Sequence, residues 1–251
     1  MATNDNRRVM TVADPAALAT IAAERVLARI AANSGRVAIC LTGGSSPKQL
    51  YQLLASDDYR GKIPWQRVHW FIGDERFVPA TDPLNNMGTA RAIFLDRCAP
   101  AANIHPIPTA TADPADPDRS AALYEQELKS FYGADALDHA HSLFDVVLMG
   151  VGPDGHTASL FPDDAALEET TRWAVGVPRA NVEPFVPRVS LTLPTLASCR
   201  EMLFEVAGTE KRAIMTRLFA AENLPANRAR STGETVWLVD RAAIPENFGG
   251  Q

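Results

Sequence analysis

The sequence is poor in cysteine, in long apolar runs and in any excess of positive charge. Its three cysteines, Cys40, Cys98 and Cys199, lie far apart and match neither a disulfide framework nor the spacing of zinc ligands. We interpret them as structural thiols in a reducing cytoplasm, where we expect the protein to be located. No apolar stretch approaches the roughly 18 residues of a membrane-spanning helix, and the N-terminal arginines precede no signal-peptide core.

The charge balance narrows the choice of partner. The 251 residues carry 24 Lys and Arg against 30 Asp and Glu, and the formal net charge of −6 is spread along the chain. A nucleic acid or an acidic membrane surface requires a basic stripe, so neither partner is expected. A small anion in a local basic pocket is compatible with this balance. We therefore expect a small-molecule ligand and a protein that is a monomer or a weak homo-oligomer.

Several catalytic and nucleotide-binding motifs are also missing. The chain contains no G-x-x-x-x-G-K-[ST] phosphate loop, no G-x-G-x-x-G dinucleotide fingerprint and no G-x-S-x-G nucleophile elbow. A covalent serine mechanism is therefore not expected. The pair of histidines in HAH (139–141) lacks Cys, Asp or Glu partners at ligand spacing, so no metal site is predicted there.

Apolar runs that alternate with helical patterns predict an α/β fold. The runs at 36–41, 68–73 and 144–151 are typical of parallel strands buried on both faces. We expect a single doubly wound, mostly parallel sheet flanked by helices, as in Rossmann-like proteins. Residues 1–251 are predicted to form a single catalytic domain, with terminal extensions at 1–13 and 246–251. Ligands of such sheets bind at the carboxyl ends of the strands.

The first loop at such a position reads TGGSSP, from Thr42 to Pro47. Gly43 and Gly44 leave the backbone N–H groups open to an anion, and the hydroxyl of Ser45 adds a further donor. The positive end of the following helix favours negative charge at the same place. The alternative is a tight strand–helix turn in which Ser46 caps the helix.

Two further loops supply cations. In GDER, Arg76 is a candidate phosphate or carboxylate clamp, and Asp74 or Glu75 is a candidate orienting or proton-handling group. In GTEK, Lys211 lies at the start of a predicted helix, where a cation is unfavourable unless it faces an anion. The alternative for both loops is that the charged side chains are simply solvated.

The loop GPDGHTAS contains the candidate proton-transfer group. His156 follows Asp154 by two residues, and several glycines surround the pair. A histidine held in such a turn at a strand end can exchange protons near pH 7, and the aspartate can fix its tautomer or orient a water. The alternative is that His156 is a helix N-terminal residue bonded to a carbonyl group.

These loops, in this order, resemble the 6-phosphogluconolactonase family. The resemblance is carried by TGGSSP, GDER, NN-M from Asn85, GVGPDGHTASLFP, RVSLTLP and G-x-x-K, over about Val37 to Lys211. It is to the soluble α/β type, related to glucosamine-6-phosphate deaminase and the ribose-5-phosphate isomerase-like fold. It implies hydrolysis of 6-phospho-D-glucono-1,5-lactone to 6-phosphogluconate in the oxidative pentose phosphate pathway, without metal or organic cofactor.

The resemblance also implies roles for individual residues. It makes His156 the general base that activates water and Asp154 the residue that orients it. It implies that substrate and phosphate are bound by Gly43, Gly44, Ser45, Asp74, Arg76, Arg188 and Lys211. The group that stabilises the oxyanion is left open between backbone N–H groups of the 152–155 turn and Arg76.

Two other functions are weighed against the lactonase. The related deaminase-isomerases carry DGHIAFNEP, with a glutamate in the proton relay, whereas this chain has Leu160 and Phe161 in place of the Asn-Glu pair. It also reads DERF where those enzymes usually have DEY. Both differences favour the lactonase. A non-catalytic sugar-phosphate binding protein is the second alternative, because a fold alone does not determine function.

Overall fold

The computed structural model describes residues 7–109 and 116–246. The strands in these ranges are β1 (Arg7–Val12), β2 (Val37–Leu41), β3 (Val68–Ile72), β4 (Asp74–Arg76), β5 (Phe144–Met149), β6 (Ala174–Val177), β7 (Arg188–Leu191), β8 (Cys199–Val206) and β9 (Glu234–Asp240). The α-helices are α1 (Pro15–Ala32), α2 (Pro47–Leu54), α3 (Asp57–Arg60), α4 (Asn86–Ala90), α5 (Asp96–Cys98), α6 (Pro117–Tyr132), α7 (Leu193–Ala197), α8 (Arg212–Phe219) and α9 (Pro225–Arg228). A π-helical turn at Arg91–Leu95 joins α4 to α5.

The main sheet is parallel and has the strand order β1-β9-β8-β5-β2-β3. Every residue of β2 and of β5 is buried, as expected for parallel strands with helices on both faces. The predicted fold class, an α/β protein with a mostly parallel sheet, is confirmed. No helix within the described ranges is both long and apolar enough to cross a membrane.

The strand order also locates the switch point of the sheet. From β2 the chain continues to β3 on one side, whereas from β5 the next strand of this sheet, β8, lies on the opposite side. The loops that follow β2 and β5 therefore diverge and leave a crevice between them. Open α/β sheets bind their ligands at this position.

A second sheet was not predicted. Strands β4, β7 and β6 form a three-stranded antiparallel sheet, although the sequence patterns suggested one sheet and a polar loop at Asp74–Arg76. Gly73 connects the two sheets, because its N–H donates to the carbonyl of Leu41 and its carbonyl accepts from the N–H of Leu191 (2.9 and 2.8 Å). The antiparallel sheet stands beside the crevice.

The predicted N-terminal extension is wrong for Arg7–Val12, which form the edge strand β1 and pair with β9. Asp14 then caps the start of α1, with its carboxylate accepting the N–H of Ala17 (2.8 Å). Residues 1–6 and 247–251 lie outside the described ranges, so the remainder of the extension prediction is untested. The single-domain assignment also stays a prediction.

Candidate active site

A cleft of about 390 Å³ opens at the carboxyl ends of β2 and β5. It brings together loops that are more than a hundred residues apart in sequence, as a parallel sheet allows. The predicted site residues that line it are Gly43, Gly44, Ser45, Asp74, Arg76, His156, Arg188 and Lys211. The remaining predicted residue, Asp154, contacts the cleft through His156.

The loop after β2 is shaped by its two glycines. Gly44 has φ +95°, a conformation that side chains other than hydrogen disfavour. A Cβ at Gly43 would lie 2.0 Å from Oδ1 of Asn86, so only glycine lets the start of α4 approach this closely. The side chain of Ser46 makes no capping hydrogen bond to α2. The capping alternative for this loop is therefore not supported.

Two arginines face each other across the antiparallel sheet. Arg76 of β4 and Arg188 of β7 are register partners, and like charges directly opposite each other are destabilising unless something compensates them. Each donates one hydrogen bond to a backbone carbonyl, Arg76 to Leu84 (2.9 Å) and Arg188 to Pro184 (2.8 Å). The buried Nε–H of each arginine has no hydrogen-bond partner among the described residues.

Charge is only partly balanced around this pair. Burial lowers the pKa of Arg188 and so does the charge of Arg76, whereas the nearby Asp74 and Glu75 raise it, and the balance is a lowered pKa. A bound anion would supply both the missing acceptors and the missing negative charge. The arrangement is therefore suited to an anionic ligand.

The structure separates the roles of the two acids in GDER. Asp74 lines the cleft, and its Oδ2 accepts a hydrogen bond from the hydroxyl of Ser159 (2.7 Å). Glu75 is fully buried, and burial raises its pKa to about 7 although three backbone N–H groups donate to it. Those groups belong to Arg76, Asn86 and Met87. Glu75 thus holds the start of α4, and Asp74 is the acid available to a ligand.

His156 and Asp154 form a hydrogen-bonded pair. Nδ1 of His156 lies 2.6 Å from Oδ1 of Asp154, which also accepts the backbone N–H of His156 (3.1 Å). Burial alone would raise the pKa of Asp154, but the hydrogen bonds and the charge of His156 lower it overall. An ionised carboxylate only accepts, so Nδ1 carries a proton, and in the neutral imidazole the lone pair is then on Nε2.

Two neighbours hold the imidazole ring in this position. A Cβ at Gly152 would lie 2.0 Å from the ring, so the glycine makes room for it. The ring of Phe161 packs against the imidazole at a centroid distance of 4.8 Å. His156 lies in a turn outside any helix, and its ring bonds a carboxylate, so the alternative of a carbonyl-bonded helix N-terminal histidine is wrong.

Lys211 lies directly before α8 and contacts the loop that follows β5. Its ammonium donates to the carbonyl of Val151 (2.7 Å), and burial lowers its pKa, partly offset by Glu210. Lys211 is therefore partly desolvated beside the cleft, and the alternative of a simply solvated side chain is not supported. One hydrogen bond leaves two of its three donors available.

Sequence reasoning assigned no role in the site to Asn86 or to Glu205, and both line the cleft. Asn86 bridges the loops, since its Nδ2 donates to the carbonyl of Asp74 (2.9 Å). Glu205 could have been noticed as an acidic residue inside the apolar strand EMLFEVAG, near its carboxyl end. In the described part of the chain, no group of three or more His, Cys, Asp or Glu side chains could hold a metal ion.

Comparison with known proteins identifies relatives of the chain. The family model "Glucosamine-6-phosphate isomerases/6-phosphogluconolactonase" matches residues 13–237. A 6-phosphogluconolactonase of Synechocystis is 40% identical over 217 residues, which cover 84% of this chain and 85% of that protein. The corresponding protein of Streptomyces coelicolor is 36% identical over 253 residues, covering 97% of this chain and 95% of that protein.

Solved structures agree with this assignment. A 6-phosphogluconolactonase from Trypanosoma cruzi has a TM-score of 0.82 at 28% identity and covers 97% of both chains. A monomeric glucosamine-6-phosphate deaminase has a TM-score of 0.78, covering 94% of this chain and 98% of its own, but at 18% identity it shows only the shared fold. This chain therefore belongs to the family of glucosamine-6-phosphate isomerases and 6-phosphogluconolactonases.

Proposed function

We propose that this chain is an ester hydrolase that converts 6-phospho-D-glucono-1,5-lactone to 6-phosphogluconate, within the oxidative pentose phosphate pathway. The observation that carries the proposal is the His156–Asp154 pair beside a cleft lined by Arg76, Arg188 and Lys211. A proton acceptor near a cluster of cations suits hydrolysis of a phosphorylated ester. The names of the relatives support the same substrate. Such an enzyme of carbohydrate metabolism is expected in the cytoplasm.

His156 activates the water. Its Nδ1–H is held by Asp154, so Nε2 accepts a proton from water while the water oxygen bonds to the lactone carbonyl carbon. The tetrahedral intermediate then expels the ring oxygen, which takes the proton back from Nε2. The product is an open-chain carboxylic acid, which ionises and releases one proton to solvent. Asp154 stabilises the imidazolium that forms between these two steps.

The cations position the substrate. Arg188, Lys211 and the glycine loop at Gly43 and Gly44 anchor the phosphate, which takes no part in bond breaking. Asp74 accepts a hydrogen bond from a sugar hydroxyl. Two N–H groups of the histidine turn are already engaged, because Gly152 donates to the carbonyl of His156 and Gly155 to the carbonyl of Gly152 (2.9 and 3.0 Å).

These hydrogen bonds limit which groups can stabilise the oxyanion that develops on the lactone carbonyl. With these two amides occupied, the Nε–H of Arg76, which has no hydrogen-bond partner among the described residues, is the better donor of the two candidates. A positive guanidinium next to the carbonyl oxygen stabilises the tetrahedral state more than the ground state.

The deaminase alternative is less consistent with the site. Leu160 and Phe161 occupy the positions of its Asn-Glu pair, and both are fully buried in apolar surroundings. Phe161 also packs on His156, so an aromatic ring lies beside the imidazole at the sequence position where the related deaminases carry their glutamate. A protein that only binds sugar phosphates would not need the hydrogen-bonded His156–Asp154 pair.

The test couples lactone formation to acid release. Glucose-6-phosphate dehydrogenase generates the lactone, and acid release is compared with and without this protein and corrected for spontaneous hydrolysis. We expect His156→Ala to abolish the enzymatic rate, whereas His139→Ala, at an exposed position, retains it. Ammonia released from glucosamine 6-phosphate, or full turnover by folded His156→Ala, would contradict the proposal.

A further inference from the structure

Glu205 is a buried acid that the proposed mechanism does not use. It lies one residue before the end of β8 and is 1% exposed. Side chains alternate along a strand, so Glu205 shares a face of the sheet with Glu201, which pairs with Arg25 and Arg29 of α1. Neither carboxyl oxygen of Glu205 has a hydrogen-bond partner in the ranges that the structure describes. Of two acids on the same face of one strand, Glu201 is thus paired with arginines, whereas Glu205 has no partner among the described residues.

The position of Glu205 explains where a partner could come from. It lines the cleft together with the glycine loop after β2 and the turn after β5. A buried carboxyl group without a partner costs free energy, and such groups in proteins are normally satisfied by a ligand or by solvent. The cleft is therefore the side from which a ligand can reach it.

Neighbouring polar side chains of the described residues make no hydrogen bond to Glu205. Tyr51 of α2 is near enough for its charge to interact with that of Glu205, but its hydroxyl donates to the carbonyl of Thr42 and accepts the N–H of Thr42 (2.7 and 3.1 Å). Lys211 donates to a backbone carbonyl. The other titratable or charged side chains of the cleft are Asp74, Arg76, His156, Glu183 and Arg188, and none of them bonds Glu205.

Burial raises the pKa of Glu205 to about 8, so the side chain is mainly uncharged at neutral pH. An uncharged carboxyl group has an O–H donor, whereas a carboxylate only accepts and would repel an anion. The neutral form is therefore compatible with the anion-binding loop beside it, and the charged form is not.

We propose that Glu205 is an additional substrate-binding residue, whose uncharged carboxyl group donates a hydrogen bond to an oxygen atom of the phosphosugar in the cleft. This inference rests on the proposed function, because that function supplies a phosphosugar ligand. Ionisation of Glu205 at alkaline pH removes the donor and adds a negative charge, so it weakens binding.

The test measures the Kd of the stable phosphosugar 6-phosphogluconate by calorimetry between about pH 6.5 and 9.5. For the unmodified protein we expect Kd to rise above about pH 8, by up to about tenfold per pH unit. Glu205→Gln keeps a neutral donor, so it binds within about threefold of the unmodified protein at pH 7 and lacks the alkaline rise. Glu205→Ala binds about tenfold more weakly at pH 7 and also lacks the rise.

Glu201→Gln is the matched control. It changes a buried glutamate of the same strand and the same face that lies outside the cleft, so the alkaline rise should persist. Thermal unfolding of each variant checks that it is folded. If Glu205→Ala does not fold, Glu205→Gln alone tests the binding role of Glu205. An unchanged rise in Glu205→Gln, or no rise in the unmodified protein, would overturn the inference.

The same proteins separate this inference from the proposed function. Binding that depends on Glu205 without any lactone hydrolysis would refute the lactonase and leave the binding role standing. Hydrolysis by the unmodified protein, with Glu205 variants identical to it in Kd and KM at every pH, would refute the binding role alone. No detectable binding of the phosphosugar at any pH, together with no lactone hydrolysis, would overturn both.

Discussion

Adding one methyl group at Gly152 should displace His156 without altering the anion-binding groups. A Cβ at this position would lie 2.0 Å from Nδ1 and Cε1 of the imidazole and 2.7 Å from Nε2. Non-bonded carbon atoms pack at about 3.5 to 4.0 Å, so the ring must move by about 1.5 Å. Gly152 has no positive φ, so the backbone itself accepts alanine. The change therefore tests the placement of one ring.

The displaced ring cannot keep its present contacts. Asp154 holds Nδ1 at 2.6 Å, and Phe161 packs on the ring at 4.8 Å between centroids. Misplacement of a catalytic group by about 1 Å costs on the order of 100-fold in rate, which is about 2.7 kcal/mol in the activation barrier. We expect Gly152→Ala to lower kcat by about 100-fold or more and to change KM by less than about threefold.

The assay is the coupled measurement of acid release, and Gly150→Ala is the matched control. Gly150 lies in the same loop, but a Cβ there meets no atom within 4 Å, so His156 should stay in place and kcat should stay within about threefold. NMR of the imidazole shows directly whether the ring has left Asp154. Normal kcat in Gly152→Ala, with the ring still bonded to Asp154, would refute the reasoning.

Three further predictions concern binding, catalysis and stability. Arg188→Ala removes a guanidinium that faces the cleft, so KM in the coupled assay should rise by about 10- to 100-fold while Arg188→Lys recovers part of the loss; an unchanged KM would remove Arg188 from the binding site. Asp154→Asn removes the charge that fixes the tautomer of His156, so kcat should fall by about 100-fold or more with little change in KM; equal losses in both parameters would indicate a different role. Glu205 binds its proton more tightly in the folded state, with a pKa of about 8 against 4.5, so its contribution to stability is present below pH 4.5 and is lost as the pH rises towards 8. In urea unfolding between pH 5 and 8, the free energy of unfolding should fall by at most about 5 kcal/mol because of Glu205, and Glu205→Gln should remove this fall. Glu75 lowers the free energy of unfolding in the same direction in both proteins. An equally steep fall in the variant would contradict the assignment.

The sequence alone identified the parts of the molecule that depend on local patterns. Runs of apolar residues predicted β2, β3 and β5, and glycine or polar residues after them predicted where a ligand would bind. The order of the loops indicated the family. The spacing of Asp154 and His156 also suggested their contact, because two residues separated by one glycine are close in any tight turn.

Only the tertiary structure decided which distant residues meet. Periodicity describes one segment at a time, whereas the register of β4 against β7, which sets Arg76 opposite Arg188, depends on pairing across more than a hundred residues. The choice between Asp74 and Glu75 likewise depends on the face of a short strand that local pattern did not predict. Glu205 looked like one acid in an apolar strand. Its significance comes from burial and from the absence of a partner within the described residues, and both are properties of packing rather than of sequence.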